Sequence, residues 1–204
     1  MELSEAMRSR RSIRRFGDKE VPREVVERIL DTARWAPSGS NAQPWRFAVV
    51  TERAKIERIS KASNQRWIAT SPMVIVCLGD LDVYGQYGSY SAFQPLVEAG
   101  LIEDMGFSEF KEKREGASET ANRMANILNA FLNVAIIIDH ITLLAHEEGL
   151  GTCWVRHFNV AMVRRTIRIP DDCTVVALLP IGYPDEGGRT KDRLKVDELV
   201  IRWE

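Results

Sequence analysis

The chain has 204 residues, 45% of them hydrophobic, which is enough apolar content for one substantial core and argues for a single domain over 1–204. Lysine and arginine total 28 against 29 acids, so the net charge of −1 supplies no overall field for nucleic acid or an anionic membrane, and any anion site must be a local cluster. Cys77, Cys153 and Cys173 are odd in number and lack a CxxC spacing, which disfavours a disulfide framework and a zinc site and fits a reducing, cytoplasmic compartment.

The N-terminal MELSEAMRSRR carries no apolar stretch of signal-peptide type. Leu3, Ala6 and Met7 at helical spacing predict a short helix over Glu2–Arg11. Pro22 opens a second helix, with Val25, Val26, Ile29, Leu30 and Ala33 on one face, and Pro37 stops it. Residues 37–44 read as loop and Trp45–Val50 as a strand. Thr51 is placed to cap a third helix to about Ser63, and Met73–Leu78 is a continuous apolar run of buried-strand type.

From Gly79 to about Ser118 the periodicity dissolves, over a length that points to a lid or binding loop, so a lid-like insertion is expected at about 84–119. Its Tyr84, Tyr87, Tyr90, Phe93, Phe107 and Phe110 either roof a ligand or pack a subunit boundary. Helical periodicity returns over Glu119–Glu148, apolar on more than one face. Within it the run Phe131–Ala145, broken by Asp139 and His140, falls short of a membrane span and reads as a buried core helix. Gly149 and Gly151 end the helix. Cys153–Phe158 is a candidate strand, Asn159 caps a helix to about Arg168, and Thr174–Ile181 is another buried strand. The tail Glu198–Trp203 alternates like an edge or exchanged strand.

Four stretches carry candidate chemistry. Arg10-Arg11-Ser12-Ile13-Arg14-Arg15 places guanidiniums and a hydroxyl at a helix end. Cations there offset the helix dipole, and a forked donor set also suits a phosphate monoester. Pro37-Ser38-Gly39-Ser40-Asn41-Ala42-Gln43-Pro44-Trp45 has turn-forming composition, and equally supplies amides and hydroxyls for the edge of a heteroaromatic ring. Gly149-Leu150-Gly151-Thr152-Cys153-Trp154-Val155-Arg156 follows a helix instead of opening one, so it is no dinucleotide fingerprint. Gly182-Tyr183-Pro184 and Lys191-Asp192-Arg193 complete the set.

In this order and spacing the four stretches resemble the nitroreductase family of FMN-dependent oxidoreductases over nearly the whole chain. The resemblance implies an α+β fold: a mixed, largely antiparallel central sheet flanked by helices, with a C-terminal strand exchanged in a homodimer. It places the FMN phosphate on Arg10, Arg11, Ser12, Arg14, Lys191 and Arg193. It has Pro37, Ser38, Gly39, Ser40 and Asn41 reach the flavin of the neighbouring subunit, and Trp154, Val155 and Arg156 pass beside the isoalloxazine, with Gln65 and Arg66 near the ring. Asp139 and His140 stand where the family usually carries amides, a departure that touches the substrate side.

The implied activity is transfer of hydride from NADH or NADPH through flavin N5 to a small acceptor (a nitroaromatic, quinone or enone) in a ping-pong cycle. The chemistry would sit on the cofactor, with no catalytic side chain and no metal. The alternatives are a same-fold flavin enzyme of other chemistry (flavin destruction, reductive dehalogenation or dehydrogenation), a non-catalytic flavin-binding redox sensor and, less well supported by the neutral charge, a nucleic-acid module on the arginine run.

Overall fold

The computed structural model describes residues 1–83, 96–103 and 116–204. In chain order its elements are α1 (Leu3–Ser9), α2 (Arg23–Ala33), β1 (Trp45–Val50), α3 (Arg53–Ser63), β2 (Met73–Asp80), α4 (Glu119–Glu147), β3 (Gly151–Thr152), α5 (Val160–Ile167), β4 (Cys173–Gly182) and α6 (Val196–Leu199). Short 3₁₀ turns at Gly39–Asn41 and Arg66–Thr70 flank β1 and β2. The strands order β1-β2-β4-β3, antiparallel at every step, which gives the α+β class expected.

Both central strands are apolar without alternation because both faces of the sheet are covered. Met73, Ile75 and Cys77 of β2 join the cluster under α2 and α4, whereas Val74, Val76 and Leu78 join the one under α3 and α5. The β2–β4 register slips between Cys77 and Leu78, which pair with Ala177 and Val175. Val176 is therefore the extra residue of a bulge, and both Val176 and Ala177 fall into the α2/α4 cluster. Gly79 permits α4 to close on the sheet, since a Cβ there would lie 2.7 Å from that of Ala130.

Helix α4 is the axis of the molecule, about 43 Å long for its 29 residues. An 18-residue stretch within it has a mean hydropathy of 1.9, so by length and composition alone the helix could cross a bilayer, more than the apolar run implied. Here the helix carries core: Val134, Ile137, Ile138 and Ile141 are fully buried. Ser118 caps its start by accepting from the Ala121 N–H, and Asn159 does the same for α5 through Met162.

Three local expectations are corrected. Glu52, not Thr51, precedes α3, and it makes no side-chain cap bond. The expected strand Cys153–Phe158 shrinks to β3 at 151–152 plus an isolated bridge between Val155 and Leu178, because the chain leaves the sheet edge after Thr152. In the tail, Glu198 and Leu199 belong to the helical turn α6, and only from Val200 does the chain extend, with Ile201 and Trp203 exposed. Tyr84, Tyr87, Tyr90, Phe93, Phe107 and Phe110, and with them most of the expected insertion, lie outside the described residues.

Candidate functional site

The two ends of the chain meet at the β3 edge of the sheet. After α1, Ser12 pairs in parallel with Thr152 and the Ile13 N–H donates to the Thr152 carbonyl at 3.0 Å. Farther on, Phe16 bridges Pro184 and the Gly17 N–H donates to the Tyr183 carbonyl at 2.9 Å. Two glycines make this contact sterically possible. A Cβ on Gly151 would fall 2.6 Å from Ile13 Cγ1, and one on Gly188 would fall 2.5 Å from Arg11 Cβ. Gly188 also adopts φ +68°, a left-handed conformation that carries little penalty only for glycine.

The result is a cavity of about 420 Å³ lined by Arg8, Arg10, Arg11, Ser12 and Arg14 from one end of the chain and by Arg189, Lys191 and Arg193 from the other. Among the described residues none of these seven cations forms a salt bridge with a carboxylate, whereas Arg15, turned away, pairs with Asp185 at 3.1 Å. Their other contacts differ. Arg11 donates through Nη1 to the carbonyls of Arg8 and Arg10 and so caps the end of α1. Arg193 donates to the carbonyls of Lys191 and Asp192 at 3.2 Å. The Arg14 guanidinium stands 5.9 Å from the Trp67 ring centre, and its backbone N–H donates to Glu186 at 2.7 Å.

Beneath the cavity Cys153 is 4% exposed. Burial raises its pKa, and nearby Arg14, the Ser12 hydroxyl and Arg10 oppose the shift without cancelling it. Its thiol thus stays protonated and makes a poor nucleophile. Cys77 is raised by burial alone, and Cys173 to about 11 by burial and then by Asp172 and Asp80.

A second cavity of about 360 Å³ shares Arg10 and Arg11 and reaches Ser9 and His146. Ser9 Oγ donates to the Glu5 carbonyl at 2.7 Å and lies 2.7 Å from His146 Nε2. The hydroxyl proton being used, the imidazole must be the donor in that contact. The pKa of His146 is lowered, first by desolvation and then by Arg10 and Arg11.

The remaining sequence-singled residues fall into two places. Trp67 donates through its indole N–H to Gln65 Oε1 at 3.1 Å and lies under Arg14, so Gln65 and exposed Arg66 belong to a turn next to Arg14, and neither lines the cation cavity. Val155 is buried and exchanges both backbone bonds with Leu178, at 2.9 and 3.0 Å, so exposed Trp154 and Arg156 flank a fixed point. Arg156 lies 4.8 Å over the ring of Phe131 on α4.

The loop 37–41 is not brought to the cation cavity of its own chain. Gly39 is tied to Asn133 of α4, whereas Ser9 beside the cavity is tied to His146, thirteen residues or roughly 20 Å farther along that helix. His140 Nδ1 bonds the Ile136 carbonyl of its own helix at 3.0 Å, which is a structural role, and Asp139 is exposed.

Sequence reasoning overlooked Arg8, Arg189 and Asn133. The alternation of Arg189, Lys191 and Arg193 was a usable signal, because every second residue of an extended chain faces the same way. Asn133 was visible only as a lone amide in an apolar helical run.

The model of the nitroreductase family matches residues 7–183. An NADH dehydrogenase of Thermus thermophilus is 27% identical, with 98% of this chain and 96% of that protein covered. An iodotyrosine deiodinase of Haliscomenobacter hydrossis is 24% identical, with 98% and 87% covered. In fold, the chain is similar to a protein of Exiguobacterium sibiricum solved in complex with FMN, at a TM-score of 0.77 and 24% identity, with 100% and 98% covered. The family match covers most of the chain, including Arg8, Arg10, Arg11, Ser12 and Arg14 of the cavity and stopping short of Arg189, Lys191 and Arg193, and the chain belongs to the nitroreductase family.

Proposed function

We propose that this chain is an FMN-dependent oxidoreductase that takes hydride from NADH or NADPH and delivers it to a small organic acceptor, with two flavin sites shared across a homodimer. One observation carries the reading: seven cations from both ends of the chain surround a cavity and none has a carboxylate partner among the described residues. Like charges gathered without counterions repel one another, and an anion bound among them relieves that repulsion. A phosphate monoester, dianionic and rich in acceptors, matches forked guanidiniums and a serine hydroxyl in both charge and donor count.

In this assignment Arg10, Arg11, Ser12, Arg14, Lys191 and Arg193 hold the phosphate, with Arg8 and Arg189 adding field. Arg11 contributes charge more than bonds, because its Nη1 already serves the helix end. Gln65, Arg66, Trp154, Val155 and Arg156 lie along the ring, and the bridge to Leu178, which uses the N–H of Val155 itself, fixes the backbone so that the N–H groups following it can serve as donors. FMN held there would supply the hydride chemistry, through its N5, between nicotinamide and acceptor. The residues would orient that cofactor and favour its reduced anionic form with positive charge. Donor and acceptor would use one site in turn, and ping-pong kinetics are expected.

The homodimer is supported by what a single copy leaves open. Met124, Leu128 and Leu132 form an exposed apolar stripe on α4, and Leu194, Val196, Leu199, Ile201 and Trp203 leave the C-terminal segment apolar and uncovered. These surfaces suit a second copy that accepts the tail and brings Pro37, Ser38, Gly39, Ser40 and Asn41 to the opposite cavity. A second reading, reductive dehalogenation on the same flavin, is favoured by the deiodinase relative.

Anaerobic mixing of the purified yellow protein with NADH or NADPH tests the proposal. Bleaching of the flavin band and its return on adding a nitroaromatic or quinone supports it, and return only with a halogenated phenol selects the second reading. A protein that purifies colourless and takes up no FMN refutes both.

A further inference from the structure

We infer that Asn133 is the positioning residue that holds the Ser38–Gln43 loop in the shape in which it serves the opposite subunit's flavin, an inference that rests on the shared-site reading above. The buried face of α4 is otherwise apolar here. Ala130, Val134, Ile137 and Ile138 are fully buried, and Asn133, at 6% exposure, interrupts them. An amide in such a place costs stability unless both of its ends are bonded. Both are: Nδ2 donates to the Asn129 carbonyl at 2.8 Å and Oδ1 accepts from the Gly39 N–H at 2.9 Å. Because the Asn129 carbonyl can only accept, the amide cannot be flipped, and its oxygen is aimed at the loop.

What the oxygen holds is a strained backbone. Ser40, Asn41 and Gln43 have φ of +54°, +51° and +46°, three left-handed residues that are not glycine within four positions. Conformations of this kind persist only where surrounding contacts over-determine them. Within the turn the Asn41 and Ala42 N–H groups donate to the Ser38 and Gly39 carbonyls at 3.0 and 3.1 Å, and Ser38 Oγ accepts from the Gln43 N–H at 3.0 Å. Arg46 donates to the Gln43 carbonyl at 3.1 Å, the Ala42 methyl is buried with Leu81 and Ala130, and Asn133 ties the entry of the turn at Gly39 to α4. Ser40 and Asn41 project to solvent as a result. They do not line the cation cavity of their own chain, so the loop does not serve that site within one copy. It serves one if it is presented to a neighbour.

The test compares Asn133→Asp, which keeps an acceptor opposite Gly39 and, in its protonated form, a donor toward the Asn129 carbonyl, with Asn133→Leu, which removes both at similar volume. In the purified dimer, Asn133→Leu should weaken FMN binding about tenfold, the loss expected for one well-placed hydrogen bond. It should also shift the flavin absorbance and midpoint potential, and Asn133→Asp should restore both. A lowered melting temperature with FMN affinity and potential unchanged would show a merely structural amide and overturn the inference.

Heterodimers supply the second measurement. Pairing a subunit carrying Arg10→Ala and Arg14→Ala with an Asn133→Leu subunit leaves one site with intact cations and an intact loop from across the interface. One wild-type-like flavin per heterodimer is expected, whereas none would place the loop's action within its own subunit and overturn the inference. A colourless wild type overturns the parent reading and this one together. A yellow wild type with an indifferent Asn133→Leu variant removes this one alone.

Discussion

Gly188 lies against Arg11 so closely that a methyl group there would meet Arg11 Cβ at 2.5 Å, and this contact is what lays the C-terminal cations beside the N-terminal ones. Two penalties converge on Gly188→Ala: the left-handed φ of +68° and an overlap with a Cβ that cannot swing aside. The backbone term is about 1 kcal/mol and the displacement of the 189–193 segment adds to it. We expect a lower melting temperature and FMN binding weakened by about tenfold or more, read by fluorescence recovery of released FMN. Unchanged affinity would mean that the two ends are brought together by other contacts.

The FMN-free protein should be stabilised by a small oxyanion. Inorganic phosphate binding to the folded cavity and not to the unfolded chain raises the melting temperature by mass action. Sodium chloride at equal ionic strength should do less, because it screens the cluster without bridging it. The difference between the two salts should vanish in a variant combining Arg10→Ala with Lys191→Ala.

Arg10 and Arg11 are neighbours with opposite expected signatures in the FMN-free state. Arg11→Ala loses bonds to two carbonyls at the end of α1 and should cost roughly 1 kcal/mol. Arg10→Ala removes a cation with no carboxylate partner among the described residues, so the melting temperature should hold or rise while FMN binding falls. Denaturant titration of the two FMN-free variants checks the contrast, and equal destabilisation would contradict it.

His146 makes stability depend on pH in a definite direction. Its pKa is lowered in the folded state, by desolvation and then by Arg10 and Arg11, so the unfolded chain binds the proton more readily. The resulting stability is fully present above the ordinary histidine value near 6.5 and is lost as pH falls through the lower folded value. The melting temperature of the FMN-free protein should fall more steeply between about pH 6.5 and 5 than that of His146→Gln, and an imidazole titration followed by NMR should have its midpoint below 6.5. Parallel melting profiles would remove His146 from the account.

The parts of the fold that sequence made legible are those governed by local periodicity. The runs Met73–Leu78 and Thr174–Ile181 were recognisable as buried strands because both sheet faces are covered, and α2 was recognisable from its single apolar face. The bulge at Val176 was not, since it depends on the partner strand's register. Residues 153–158 have strand composition but only Val155 finds a partner, because β3 occupies the edge for two residues and the chain then departs.

At the site, the cations were individually conspicuous, but their convergence depends on Gly151 and Gly188, whose importance lies in contacts with Ile13 and Arg11 far away in sequence. Resemblance, not spacing, joined the two ends. Asn133 was illegible for a related reason: an amide in an apolar helix announces a buried partner without naming Gly39.

The central claim is that the cluster from both termini grips the phosphate of FMN, and comparing FMN with riboflavin isolates that group. The wild-type protein should bind FMN at least about a hundredfold more tightly than riboflavin, the scale of several charge-assisted bonds, and Arg10→Ala with Arg14→Ala should erase most of that ratio while riboflavin binding changes little. Equal affinity of the wild-type protein for the two flavins would contradict the account.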